Sequence, residues 1–138
     1  MMDKIVFDSY AWIEYFRGSK EGEKVDEYIK SKIEIITPTI VIAELSDKYR
    51  RLDKKEEWKE RRKFISLRSK IAPLTSETAD KAGKIKKVKR EEFNDFPLAD
   101  GMILAIAEHE GTLVLTGDPY MAGSEIWNLR TLDHEVSQ

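Results

Sequence analysis

Four carboxylates stand where chemistry could be built on them: Asp8, Glu44, Asp100 and Asp118. Asp8 closes the apolar run Ile5-Val6-Phe7, and Glu44 interrupts Ile40-Val41-Ile42-Ala43-Glu44-Leu45. Asp100 lies near the head of the apolar stretch from Leu98 to Ala107, and Asp118 follows Thr112 to Thr116 within a Gly117-Asp118-Pro119 turn. The chain has no cysteine and two widely separated histidines. Disulfides, thiolate zinc sites and cysteine nucleophiles are therefore excluded, and a histidine-based site has little to draw on. His109 falls near a helix C-terminus, where the dipole favours a surface imidazole, and His134 falls in the tail. Carboxylates must carry any chemistry. Four of them in one partly buried place would repel and raise each other's pKa unless a cation sat among them, and oxygen-only ligation suits Mg²⁺ or Mn²⁺. Each acid also has a structural explanation of its own: Asp8 as an N-cap, Asp118 as a turn residue before proline, Asp100 as a first-turn acid favoured by the helix dipole, Glu44 as a surface residue.

The elements that must position these acids alternate along the chain. Ile5 to Phe7 is a short apolar strand, and Tyr10 to Phe16 reads as a helix with Asp8 or Ser9 as N-cap. Arg17-Gly18-Ser19 is a turn, after which Lys20 to Lys32 forms an amphipathic helix with Val25, Tyr28 and Ile29 on one side. Glu34 to Thr37 is a second strand, and Pro38-Thr39 opens a helix that continues, or breaks near Leu52-Asp53, with Trp58, Phe64, Ile65 and Leu67 as its later buried set. Lys70 to Pro73 gives a short third strand, and Thr75 or Ser76 caps a basic helix to about Arg90. After a loop over residues 91–97 comes the helix that carries Asp100, apolar almost all round and ended by Gly111. Thr112 to Thr116 is a buried strand, and Ile126 to Leu129 is a candidate edge strand. This order predicts an α/β fold: a mostly parallel central sheet of about four to five strands with helices on both faces, in a single domain over residues 1–138. In such sheets ligands bind beyond the carboxyl ends of the strands, which is where all four acids fall.

Neither a membrane span of about 18 apolar residues nor a basic-then-apolar leader is present, which predicts a soluble cytoplasmic protein without membrane partners. The net charge of −2 hides an uneven spread. Lys48 to Arg90 holds 17 Lys/Arg against 6 Asp/Glu, net +11, while the remainder holds 7 against 20, net −13. Solvated helices with supporting pairs such as Glu57–Arg61, Glu77–Lys81 and Asp80–Lys84 would account for this. So would a basic flank gripping a polyanion beside bound cations. Tyr10, Trp12, Ile13, Tyr15 and Phe16 crowd one short helix, more than one face can bury, and Tyr49 and Trp58 follow in the next helical region. The surplus predicts an exposed apolar patch suited to a homodimer surface or to a docked partner segment, or else these aromatics are core.

The order Ile-Val-Phe-Asp8-Ser9, Val-Ile-Ala-Glu44-Leu, Ala-Asp100 heading an apolar helix, and Val-Leu-Thr116-Gly-Asp118 resembles the PIN-domain nuclease family across nearly the whole chain, and the compact form is similar to its VapC-type toxins. The resemblance implies a divalent-metal-dependent endoribonuclease, in which Asp8, Glu44, Asp100 and Asp118 hold Mg²⁺ or Mn²⁺, Ser9 or Thr116 assists, and activated water attacks an RNA phosphodiester. It further implies pairing into a homodimer and silencing by an antitoxin protein. The chain departs from the family after Asp118, where Pro119-Tyr120-Met121 replaces the usual aromatic-ending segment. Three other readings compete: an RNA-processing PIN nuclease without an antitoxin, a non-catalytic interaction module whose acids are caps, and a phosphatase with Asp8 as nucleophile. The last wants a second acid two residues on, where Tyr10 stands.

Overall fold

The computed structural model describes residues 3–117 and the backbone of residues 126–128. Its five strands are β1 (Lys4–Phe7), β2 (Glu34–Pro38), β3 (Lys70–Ala72), β4 (Val114–Thr116) and β5 (Ile126–Asn128). They form one sheet in the order β3-β2-β1-β4-β5. Every neighbouring pair is parallel, so all the carboxyl ends share one edge. The chain steps outward from β1 to β2 to β3, then returns to the other side of β1 for β4 and β5. The reversal falls between β1 and β4, the place where open α/β sheets leave a crevice.

Consecutive strand residues are buried without alternation. Ile5, Val6 and Phe7 are fully buried, as are Ile35 and Ile36, so both faces of the sheet are covered. The covering helices are α1 (Ser9–Arg17), α2 (Lys20–Lys30), α3 (Thr39–Arg51), α4 (Lys55–Arg68), α5 (Ser76–Lys89) and α6 (Leu98–Glu110). The α/β architecture, the strand count and the helix order expected from the sequence are all present. Among the described residues no helix is long and apolar enough to cross a membrane.

The sequence-derived breaks also appear, with local physical causes. The long helical region splits at Asp53, whose φ of 55° is in the left-handed region, where a short side chain able to bond locally is among the few tolerated. Tyr49 and Trp58 then stack at 5.5 Å across the corner and tie α3 to α4. Thr75 caps α5 in a full capping box with Thr78. Two expectations fail, and a third, left open between two readings, resolves to one of them. Leu67 is 80% exposed, because the buried line of α4 runs through Trp58 and Ile65, seven residues apart, and two further residues turn the side chain about 200° away. Lys81 pairs with Glu108 on α6 rather than with Glu77, since α5 lies along that helix. The aromatics of α1 do not form an exposed patch. Trp12 is fully buried, packed on Phe7 at 5.0 Å and Phe16 at 5.7 Å, while Tyr10, Ile13, Tyr15 and Phe16 are half-buried against the core. Phe64 of α4 completes the cluster by stacking on Tyr15 at 5.7 Å.

Candidate active site

Asp8 is the last word of β1 and the first of α1. Its extended backbone ends the strand, its Oδ1 accepts a hydrogen bond from the Ala11 amide at 2.9 Å, and that bond caps the helix. The side chain is 4% exposed. In the parallel register Phe7 lies opposite Leu115, and the Asp8 amide donates to the Leu115 carbonyl at 3.4 Å. Asp8 and Thr116 therefore end β1 and β4 side by side at the switch point, with Thr116 fully buried.

Glu44 comes from α3, which starts directly at the end of β2 and buries Val41, Leu45 and Tyr49. One place short of Leu45 on that face, Glu44 is half-buried. Ser9 Oγ donates to Glu44 Oε1 at 2.6 Å, joining residues 35 positions apart. A hydroxyl bond to one carboxylate oxygen orients the group. Asp100 lies in the first turn of α6, 7% exposed, on a helix that packs against both α3 and β4. Gly101 beside it is required by close approach, because a β-carbon there would stand 2.9 Å from the Ala82 carbonyl oxygen of α5. Asp8 and Asp100 thus share one electrostatic device: both are buried acids in the opening turn of a helix, where the dipole favours negative charge.

Ser9, Glu44, Asp8 and Thr116 are brought toward the carboxyl edge by these contacts, and Asp100 heads the helix packed beside them. Among the described residues no group of three or more His, Cys, Asp or Glu side chains is spaced to hold an ion by itself. Asp118, the fourth acid of the sequence reading, lies outside the described residues, as does His134. The donor chemistry nonetheless fits a hard divalent cation: the acids are oxygen donors, two of them nine-tenths buried, in a place that offers no soft ligand.

Two contacts that hold this edge together were not foreseen from the sequence. Thr37, fully buried at the end of β2, accepts from the Trp12 indole at 3.1 Å and bonds Ser69 at 2.8 Å, tying α1 to β2 and to the start of β3. Its signal was available in principle, since a buried indole N–H needs an acceptor. Tyr10 reaches across to β4, and no sequence pattern foretells that contact.

A parallel sheet with buried acids at its switch point defines a class of α/β ligand site, and comparison with known proteins gives the class its family. The PIN domain family model matches residues 5–122, and the chain belongs to that family. No curated protein matches it in sequence. Among solved structures it is similar to a toxin–antitoxin complex from Klebsiella pneumoniae, with 18% identity, TM-score 0.73, and 91% of this chain and 97% of that one covered. It is also similar to DNA-bound VapBC from Salmonella typhimurium, with 18% identity, TM-score 0.71, and coverage of 94% and 99%. A third is VapC20 from Mycobacterium tuberculosis, described as a toxin cleaving the sarcin-ricin loop, with 14% identity, TM-score 0.65, and coverage of 80% and 86%. At these identities the likeness is one of fold.

Proposed function

We propose that the chain is a divalent-metal-dependent endoribonuclease acting on RNA phosphodiesters, and the toxin of a type II toxin–antitoxin pair. The observation that carries this reading is the buried Asp8 at the β1/β4 switch point, with Glu44 oriented by Ser9 beside it in a PIN domain. Asp8, Asp100 and Asp118 would hold Mg²⁺ or Mn²⁺. Glu44, its Oε1 engaged by the Ser9 hydroxyl, would orient the attacking water, with Thr116 in support at the strand end. A bound divalent ion supplies a lowered pKa for water and neutralises phosphate charge, so no histidine base is needed.

The basic segment supports the substrate class. Gly101 of α6 meets Ala82 of α5, and the two helices form a hairpin through residues 90–97. Counting from that contact at about 1.5 Å per residue, the last turn of α5, with Lys86, Lys87 and Lys89, extends beyond the head of α6 that bears Asp100. A polyanion approaching the acids would pass those side chains.

The antitoxin partner rests on the neighbours, which are themselves toxin–antitoxin complexes. The homodimer is proposed on the family resemblance alone, since the aromatics of α1 are buried or half-buried. An RNA-processing role without an antitoxin remains the second reading within the same chemistry. Light scattering of the chain alone and with the product of any adjacent small reading frame separates these assemblies.

The decisive assay is cleavage of single-stranded RNA in Mn²⁺ by wild type and Asp100→Asn, with Mn²⁺ binding followed by calorimetry. Wild type should cut and bind, while Asp100→Asn should lose at least about tenfold in Mn²⁺ affinity and most of its activity yet stay folded. A wild type that neither binds the ion nor cuts would return the acids to a capping role in an interaction module.

A further inference from the structure

Tyr10 follows Asp8 and Ser9 on the opening turn of α1, yet its side chain serves a different strand. A β-carbon added at Gly117 would fall 2.1 Å from Cε1, 2.5 Å from Cζ and 2.6 Å from Cδ1 of the Tyr10 ring. No pair of non-bonded carbons approaches that closely, so the ring occupies the space that any side chain at 117 would need. The backbone of Gly117 is not in the left-handed region, which among the described glycines is confined to Gly18 and Gly111. Glycine at 117 is therefore explained by the ring rather than by the turn. The ring is anchored through its hydroxyl, which donates to Glu21 on α2. Gly117 is buried under this contact, directly after Thr116 at the end of β4 and directly before Asp118 in the sequence.

We propose that Tyr10 is a positioning residue for the acid site: its ring, braced by Glu21, wedges against Gly117 and sets the course of the backbone where β4 leaves the sheet. The inference rests on the reading of the acids as a cation site. The same opening turn of α1 thereby carries Asp8, the Ser9 hydroxyl that orients Glu44, and the wedge that fixes the end of the neighbouring strand. One helix N-terminus thus carries a buried acid and touches both α3 and the end of β4. Residues that orient a ligand shell in this way typically affect metal affinity by about 10- to 100-fold when changed.

A double-mutant cycle tests this in the full chain, with Mn²⁺ affinity from calorimetry, thermal midpoint without metal, and kcat and KM for RNA cleavage. Gly117→Ala should weaken Mn²⁺ by at least about tenfold, because the methyl must displace the ring. It should lower kcat with KM little changed. Tyr10→Ala should weaken Mn²⁺ less, and Tyr10→Phe, which keeps the ring and loses the Glu21 bond, least. In the Tyr10→Ala background Gly117→Ala should cost nothing further. Wild-type affinity in Gly117→Ala, or an equal loss with and without the ring, would overturn the proposal. Should Gly117→Ala fail to fold, Tyr10→Ala decides: reduced Mn²⁺ affinity at an unchanged thermal midpoint supports the wedge, and unchanged affinity overturns it. A wild type that binds no Mn²⁺ sinks the cation-site reading itself and the wedge with it, an outcome distinct from wild-type binding without coupling.

Discussion

The two helices of the α5–α6 hairpin lie against each other and could hardly be less alike. α6 buries Asp100, Gly101 and the unbroken run from Ile103 to Ala107, and it sits inside the molecule with a single acid at its head. α5 buries only Thr78 and Ala82, exposes Lys81, Lys84 and Lys87, and leaves Lys86 and Lys89 half-buried. The contrast shows how one close contact can join opposite tasks. A helix with no polar face must be enclosed, and a charged helix can enclose it only if the two backbones approach where side chains are absent. Gly101 against Ala82 is that approach, and it is next to the buried acid. An apolar interior holds Asp100 while the lysine-rich end of α5 runs on past the contact, so the hairpin joins a buried acid to a helix none of whose lysines is buried.

The contrast can be broken most severely at its hinge point. Gly101→Ala would drive a methyl to within 2.9 Å of the Ala82 carbonyl oxygen, which is backbone and cannot turn aside. We expect about 1–3 kcal/mol of lost stability, read as a lower denaturation midpoint with an unchanged slope. Wild-type stability would mean the hairpin is looser than the contact implies. A smaller effect is expected from the capping box. Since α5 has little core of its own, Thr75→Ala should cost about 1 kcal/mol by thermal denaturation, and an unchanged midpoint would show that packing on α6 suffices to hold the helix start. The smallest effect on stability, and the one that bears most on function, comes from the basic last turn of α5. Neutralising Lys86, Lys87 and Lys89 together should leave the thermal midpoint near wild type while flattening the salt dependence of single-stranded RNA binding by about 2 in log–log slope. An unaltered slope would make these lysines solvating groups and leave α5 a cover alone.

Much of this arrangement was legible in the order of residues. Apolar runs at strand length, separated by Gly, Pro and capping hydroxyls, specify alternating strands and helices. Parallel pairing then follows, because crossover helices leave few other ways to join such strands. The acids stood out for the same local reason, as charges ending or interrupting apolar segments. Periodicity, however, tells only which side of a helix is apolar, and it misled at Leu67, where the true buried line of α4 is narrower than the hydrophobic residues available to it.

Long-range pairing belonged to the tertiary structure. That Ser9 would bond Glu44 across 35 residues, that Lys81 would choose Glu108 over its helical neighbour Glu77, and that Tyr10 would need Gly117 to be glycine are outcomes of how helices pack, to which local propensity is blind. The sequence by itself determined the elements, their order and the presence of acids at their ends, because strand and helix periods and their breakers act over a few residues. Only the folded chain decided which ends meet, because hydrogen bonds and contacts a few ångströms long depend on the register of β1 against β4 and the seating of α1 beside α3, and both are set by burial of the whole core at once.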